Sequence, residues 1–522
     1  LFAAWYAEDT IRFSRNLTAS LGFRGESSTG WNEAHGRAAN YFFANGVINS
    51  SPHVGSAAFS TNNEKFLPEP RIGVAWSPFG EKTAFRAGFG IYDELQDALG
   101  YRMDQNEPFD PTIAVSSLPV ADLPAPAAYP IPAGFPPAPV AAPKLAPGGV
   151  QPNLESPTLI SYSLRVQREL SPNTALTIGY VGSHGYHEII SIDANEPTPV
   201  ICPAAPCPAV FPANFGNLTG MPVPAGTYFT PSACAAGNLT CNSTLAGAWT
   251  WFSRGDSSYN ALQIDVNRRF SHGLSLRGVY SWSKAIDDGD SLNGTTANNA
   301  PGLVSNPFNL SGDRGLATYN ATNTAVINTV YDLPFGNGQI LAGDASGWQQ
   351  KLIGGWSVTS LVTLQSGFPF TPQLGYNPSL NGDTKNPVRP FLDPTFSGPV
   401  VLGKVNEWFN PQAFVAPPNN SGFYGNLGRD TFIGPGLATW DFSVVKSTTI
   451  RERMSLQFRA EIFNLLDRAN FNTPGLIVDI LTPPPAGSTK VSVVPQLNPT
   501  AGQITSTSTT ARQVQLALKF LW

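Results

Sequence analysis

Thr510-Ala-Arg-Gln-Val-Gln-Leu-Ala-Leu-Lys-Phe-Leu-Trp522 is the stretch from which the fold is read. In an extended strand Val514, Leu516, Leu518, Phe520 and Trp522 share one face. Gln513, Gln515, Ala517 and Lys519 share the other, with Leu521 the exception. Alternate side chains of a strand point to opposite faces, so one face is apolar and its opposite mostly polar. A soluble protein seldom finishes on an apolar strand with a carboxylate beside a Trp. A transmembrane barrel finishes this way, with the apolar face in lipid and an aromatic ring at the interface.

Composition agrees with a membrane wall made of strands. The 522 residues carry a net charge of -5, and only 13% of them are charged, against roughly 25% in an ordinary soluble domain. Hydrophobic residues make up 42%, yet no run approaches the roughly 20 apolar residues of a membrane helix. The best candidate, 119–147, is Ala-rich but broken repeatedly by Pro, so it reads as an extended loop. The 49 Gly and 48 Pro predict many turns. No basic stripe is present, which argues against nucleic acid as a partner. The chain starts at Leu1, inside a strand pattern, and is expected to be a piece whose upstream part is missing.

The closing pattern recurs upstream. Leu17, Ala19, Leu21 and Phe23 alternate with Thr18, Ser20, Gly22 and Arg24; Ile72, Val74 and Trp76 face Phe85, Ala87, Phe89 and Ile91 across a Pro-Phe-Gly-Glu turn. Further pairs hold Ile160 to Val166 with Leu176 to Tyr180, and Leu262 to Val266 with Leu274 to Trp282. Others hold Ala325 to Tyr331 with Trp356 to Leu364, and Trp440 to Val444 with Met454 to Ile462. About thirteen strands follow from this period of two. Every other connection is short, and the intervening ones mostly exceed thirty residues. The 334–355 connection is the longest of the short class. Short periplasmic turns and long extracellular loops are the mark of an outer-membrane barrel. Arg, Gln, Asp and Glu on the polar face keep their water in a wet lumen, whereas a dry sandwich core would charge heavily for them. The expected fold is therefore all-β: an antiparallel transmembrane β-barrel with long extracellular loops and short periplasmic turns. An odd strand count cannot close a bacterial single-chain barrel, so residues 1–522 are expected to be the C-terminal portion of a larger one.

Several stretches also resemble the barrel of Oar-like TonB-dependent receptors. They are Glu69 to Gly80, Phe85 to Tyr92, Ser258 to Gln263, Tyr280 to Asp288, Tyr331 to Gly336, Leu364 to Phe370, and Phe463 to Asp467 with Asn470 and Phe471. The closing strand is similar to the signal by which outer-membrane barrels are recognised for insertion. The resemblance implies a 22-stranded barrel, an N-terminal domain and a plug with a TonB box, the last two absent from this sequence. It implies a place in the bacterial outer membrane. Its partners would be membrane lipid, the TonB complex through the missing plug, the barrel-assembly machinery through the C-terminal strand, and an unknown extracellular ligand.

The chemistry-bearing residues are sparse. Cys202, Cys207, Cys234 and Cys241 lie in one connection; their even number points to two disulfides, Cys202–Cys207 and Cys234–Cys241 by proximity. Asp287, Asp288 and Asp290 could bind a divalent cation, but without fixed ligand spacing they read as a solvated acidic loop. Asp313-Arg314-Gly315 could be a loop salt bridge or a ligand contact, and reads as structural. His184 and His187 sit near a strand's outer end and read as wet loop positions rather than metal ligands. His35, His53 and His272 are scattered. Trp76, Trp282, Trp356, Trp440 and Trp522 read as interfacial anchors. No phosphate loop, nucleophile elbow or zinc-protease pattern occurs, so no enzyme, cofactor or metal centre is expected. The function read from this is TonB-dependent uptake of a scarce ligand by a receptor-transporter barrel. The alternatives are a structural or adhesive surface barrel and a secreted β-propeller.

Overall fold

The computed structural model describes residues 1–94, 106–114, 144–203, 207–232, 234, 241–289, 302–383, 388–451, 454–482 and 494–522. Thirteen long strands form one antiparallel sheet in strict sequence order. They are β1 (Phe2–Ser14), β2 (Leu17–Ser28), β3 (Leu67–Trp76), β4 (Thr83–Asp93), β5 (Thr158–Ser171), β6 (Thr174–Asp193) and β7 (Trp249–Ser271). They continue as β8 (Leu274–Asp287), β9 (Asn323–Asp332), β10 (Trp356–Gln365), β11 (Leu437–Arg451), β12 (Met454–Phe463) and β13 (Gln513–Leu521). Among the described residues β1 and β13 do not pair with each other.

Register keeps the two faces distinct, because a slip of one residue would move a whole apolar set to the other side. Leu21 lies opposite Ile72, Ile72 opposite Phe89, and Phe89 opposite Tyr162. Farther along, Ile178 faces Ile264, Ile264 faces Tyr280, and Tyr280 faces Ala325. At the closing pair Leu516 faces Ala460 and Leu518 faces Phe458. Both leucines of this closing pair are exposed, Leu516 at 66% and Leu518 at 69%. The polar rows are equally continuous, with Arg24 opposite Glu69, Thr177 opposite Asp265, and Glu461 opposite Gln515. Among the described residues, the buried apolar side chains of wall strands β6 and β7 that cluster lie at the extended ends, at Ile190, Ile192 and Phe252.

The short connections all lie at one end. His272 and Gly273, both at positive φ (49° and 75°), make the two-residue turn between β7 and β8, the geometry that suits the twist of antiparallel strands. A Cβ at Gly273 would come within 2.9 Å of the Asp332 carbonyl oxygen, so the turn also needs glycine for space. Between β9 and β10 the longer connection holds helix α1 (Gly347–Ile353). Glu452 and Arg453, in the expected β11–β12 turn, lie outside the described residues, as does most of the Pro- and Ala-rich 119–147 stretch.

The long connections at the other end are not plain polar loops. They fold together into a crown, which contains the buried apolar clusters. Phe211, Phe215, Phe391 and Phe423 pack with Cys202 and Val415, joining the 194–248 and 366–436 connections. Phe370, Phe409, Phe414 and Val478 form a second cluster, joining 366–436 to 464–512. Tyr41, Ile48, Leu245 and Ala248 form a third. Strands β6 and β7 run past the end of their neighbours to support this crown: their ladder extends to Asp193 opposite Trp249.

Candidate functional site

The polar face carries a trough where side chains are missing. Gly73 lies opposite Gly88, and Gly88 and Gly90 lie opposite Ser163 and Ser161. With no side chain at these positions the backbone forms the floor of a 530 Å³ cavity spanning β1 to β5. Its rim is charged. Arg71 donates to Glu69 at 2.7 Å and stands 4.6 Å over the Tyr92 ring. Arg24 pairs with Glu26 and lies 3.8 Å from Glu69, which is itself 3% exposed. Glu8 and Tyr6 complete the rim. Guanidinium groups fixed by carboxylates and backed by phenol rings make directional, charge-assisted contacts with polar solutes.

A second cavity, of 610 Å³, opens in the crown. Phe42, Phe43, Phe252 and Phe308 line it together with Arg254 and Gln151. The Arg254 guanidinium sits 4.8 Å from the Phe252 ring centre. Flat apolar walls with a few convergent polar groups are the usual make-up of a small-molecule site. Sequence reading missed both cavities. Arg71 and Glu69 were legible as charges on the polar side of a strand pattern; Phe42 and Phe308 carried no periodic signal.

Buried ion pairs fix the crown to the wall. Asp287 and Asp288, expected in a solvated acidic loop, are instead 4% and 8% exposed. Arg429 bonds the carboxylate and the carbonyl of Asp287, and Arg314 reaches Asp288 at 3.1 Å and Asp256 at 2.7 Å. Burial pushes the Asp288 carboxyl above its ordinary range, and Arg314 opposes the shift. Each carboxylate is thus matched by a guanidinium, because a charge without water needs a partner. Asp290 lies outside the described residues. Asp313 pairs with Arg389 at 2.9 Å and Arg314 with Asp256 and Asp288, so the two neighbours bridge to different partners rather than to each other.

His184 and His187 do not occupy loop positions: both lie within β6. The long β6–β7 ladder continues through them, with His184 opposite Ser258 and His187 at a bulge with φ 57°. His184 stands 3.4 Å from Asp256 and His187 2.8 Å from Glu155. Among the described residues no group of three or more His, Cys, Asp or Glu side chains is placed to hold a metal. Cys202 is bonded to Cys207 and Cys234 to Cys241, at Cα separations of 5.5 and 5.8 Å. Trp76, Trp282 and Trp522 are exposed on the apolar face at 45%, 57% and 88%. Trp356 and Trp440 are half-buried and donate to the Leu352 carbonyl and the Ser360 hydroxyl. Val514 and Phe520 are exposed, as are Leu516, Leu518 and Trp522.

Residues 2–515 match the family model described as an outer membrane beta barrel domain. No curated protein sequence matches the chain. Among solved structures, the outer membrane transporter YddB from Escherichia coli is similar at 11% identity and a TM-score of 0.46, over 100% of this chain and 45% of that one. The ferric enterobactin receptor PfeA from Pseudomonas aeruginosa is similar at 10% identity and a TM-score of 0.41, over 100% and 44%. BauA, the ferric preacinetobactin receptor from Acinetobacter baumannii, is similar at 11% identity and a TM-score of 0.38, over 100% and 43%. The chain spans less than half the length of these proteins.

Proposed function

Since the chain belongs to the outer membrane beta barrel domain family, we propose that it forms the wall and ligand-catching crown of a receptor-transporter of the Oar-like, TonB-dependent kind. It resides in the bacterial outer membrane as an antiparallel transmembrane β-barrel. In this reading the crown faces the outside, and α1 and the short turns face the periplasm. The 1–522 chain is the C-terminal part of a 22-stranded barrel whose plug engages the TonB complex. The closing strand, Val514 to Trp522, is what the assembly machinery takes hold of. The disulfides stiffen the crown.

One observation carries the proposal: a cavity-bearing crown stands over a wall whose polar face has its own charged trough. A scarce solute held first by aromatic and cationic groups outside can pass to guanidinium and carboxylate groups within. Such transfer needs selective contacts and a gated path and no bond-making residue. The packed clusters of the crown also suit the alternative, an adhesive or structural surface barrel.

Uptake decides between them. Cells producing the full-length protein are offered radiolabelled ferric siderophore, cobalamin and maltodextrin, with and without a protonophore. Accumulation of one probe that stops with the protonophore is the expected result. Adhesion to matrix with no accumulation of any probe would overturn the transport reading in favour of the adhesive one.

A further inference from the structure

The connection between β9 and β10 carries apolar side chains that lie open. Ile340 is 88%, Leu341 48%, Trp348 72% and Leu352 62% exposed. Trp348 and Leu352 stand four residues apart in α1, so they share one stripe of the helix. Lys351, the one charged residue of α1, is exposed beside that stripe. Gln350 lies on the opposite side, where its Oε1 accepts from the Asn337 N–H at 2.6 Å. The polar side of the helix is thus tied to its own connection, and the apolar side is left open.

At 7 residues α1 is too short to persist in water unaided. The wall holds it by the carbonyls of its last turn. The Trp356 indole N–H donates to the Leu352 carbonyl at 3.0 Å, Lys446 Nζ to the Gly354 carbonyl at 2.6 Å, and the Thr448 hydroxyl to the Lys351 carbonyl at 3.5 Å. All three side chains belong to one face of the wall, and it is the apolar one. Trp356 lies opposite Lys446, Lys446 opposite Phe458, and Phe458 opposite Leu518; Thr448 follows Lys446 by two residues on the same strand. The closing strand finishes at this same end, where Trp522 is 88% exposed. An outer-membrane barrel turns its apolar face to lipid and sets aromatic rings at the edge of the apolar band. Continuity with that face therefore puts the open stripe of α1 at a lipid surface rather than over the lumen.

We propose that α1 is an interfacial helix that binds the phospholipid leaflet on the side of the short connections. Trp348 and Leu352 dip among the acyl chains, and Lys351 reaches back to the lipid phosphates. The helix anchors one sector of the wall at a fixed depth. The inference rests on the wall's place in the membrane and not on what the barrel transports.

The four cysteines are paired in disulfides, so a single introduced thiol takes a label. Purified full-length protein carrying Trp348→Cys is labelled with an NBD fluorophore and reconstituted into vesicles of phosphatidylethanolamine and phosphatidylglycerol, with and without nitroxide-bearing acyl chains. Asn337→Cys, on the far side of α1, and Leu516→Cys, on the apolar face of the closing strand, are labelled in parallel. The labels at 348 and 516 are expected to be quenched at least twofold more than the label at 337. Quenching at 516 without quenching at 348 overturns the inference alone and is the result expected of a stripe reserved for a protein partner. No quenching at either overturns the membrane placement of the wall as well. Heat-modifiable gel migration reports whether each variant keeps its barrel; if Trp348→Cys loses it, Leu352→Cys takes its place with the same two outcomes.

Discussion

Arg389 and Asp313 meet at 2.9 Å with side chains only 9% and 4% exposed, although 76 residues separate them in sequence. Arg389 also donates to the Ser305 hydroxyl and the Gly312 carbonyl, so one guanidinium holds three groups of the 288–322 connection. Replacing Arg389 with Met strands the Asp313 carboxylate away from water. The expected cost is about 3–5 kcal/mol of crown stability, as for other buried pairs broken on one side. Limited proteolysis should show faster cleavage in the crown, and Asp313→Asn in the same background should recover part of the loss. Equal cleavage rates in wild type and Arg389→Met would show the pair to be dispensable.

The two faces of the closing strand should respond oppositely to charge. Leu516→Arg places a guanidinium in lipid at a cost of about 2–4 kcal/mol near the midplane. Gln515→Arg, one residue away and opposite Glu461, should change stability by less than about 0.5 kcal/mol. Urea-dependent folding into lipid vesicles measures both. Similar losses for the two variants would mean that the faces are not wetted differently.

Removing the Cys202–Cys207 bridge with a double Ser substitution should loosen the aromatic cluster around Phe211 and leave the wall intact. A ring this small constrains the unfolded chain by about 2 kcal/mol. Cys202 is itself 0% exposed, so a polar hydroxyl there adds a burial cost. Increased cleavage within 194–248, with unchanged heat-modifiable migration, is the expected pattern. A lost migration shift would place the bridge in wall assembly instead.

Glu196 sets a pH dependence with a definite sign. Burial lifts its folded carboxyl well above the ordinary 4.5. Between those two values the unfolded chain has released a proton that the folded chain keeps, so stability falls as pH rises. The loss is complete above the folded value. The crown should therefore resist protease better at about pH 5 than at about pH 8, and Glu196→Gln should reduce the difference. Protease resistance that rose with pH through Glu196 would contradict the buried placement of this carboxyl.

The wall was legible because lipid and lumen impose a period of two that any strand must display. Leu21 pairs with Ile72 and Leu516 with Ala460, so each of these stretches keeps its apolar residues in one cross-strand row. The alternation of short and long connections was legible for the same reason, since it follows from strand ends. The crown was not. Phe215 and Phe423 lie 208 residues apart, in irregular backbone, and nothing periodic announces that they touch. Asp287 looked solvated because Arg429, 142 residues away, gave no local sign of its approach. His184 and His187 were misplaced because Gly182, Gly185 and a bulge interrupt the alternation while the ladder continues. Asp288 looked solvated for the same reason as Asp287, since Arg314 reaches it from 26 residues away.

Clusters such as that of Phe370, Phe409 and Phe414 lie in the crown, beyond the evenly paired part of the wall. The molecule is thus folded against two different liquids at once. Oil holds the lower part in place, while water drives the upper part together as it would any soluble domain. A detergent can stand in for the first liquid without disturbing the second. Cold, salt and osmolytes should act chiefly on the upper part, so a single melting temperature would describe neither half.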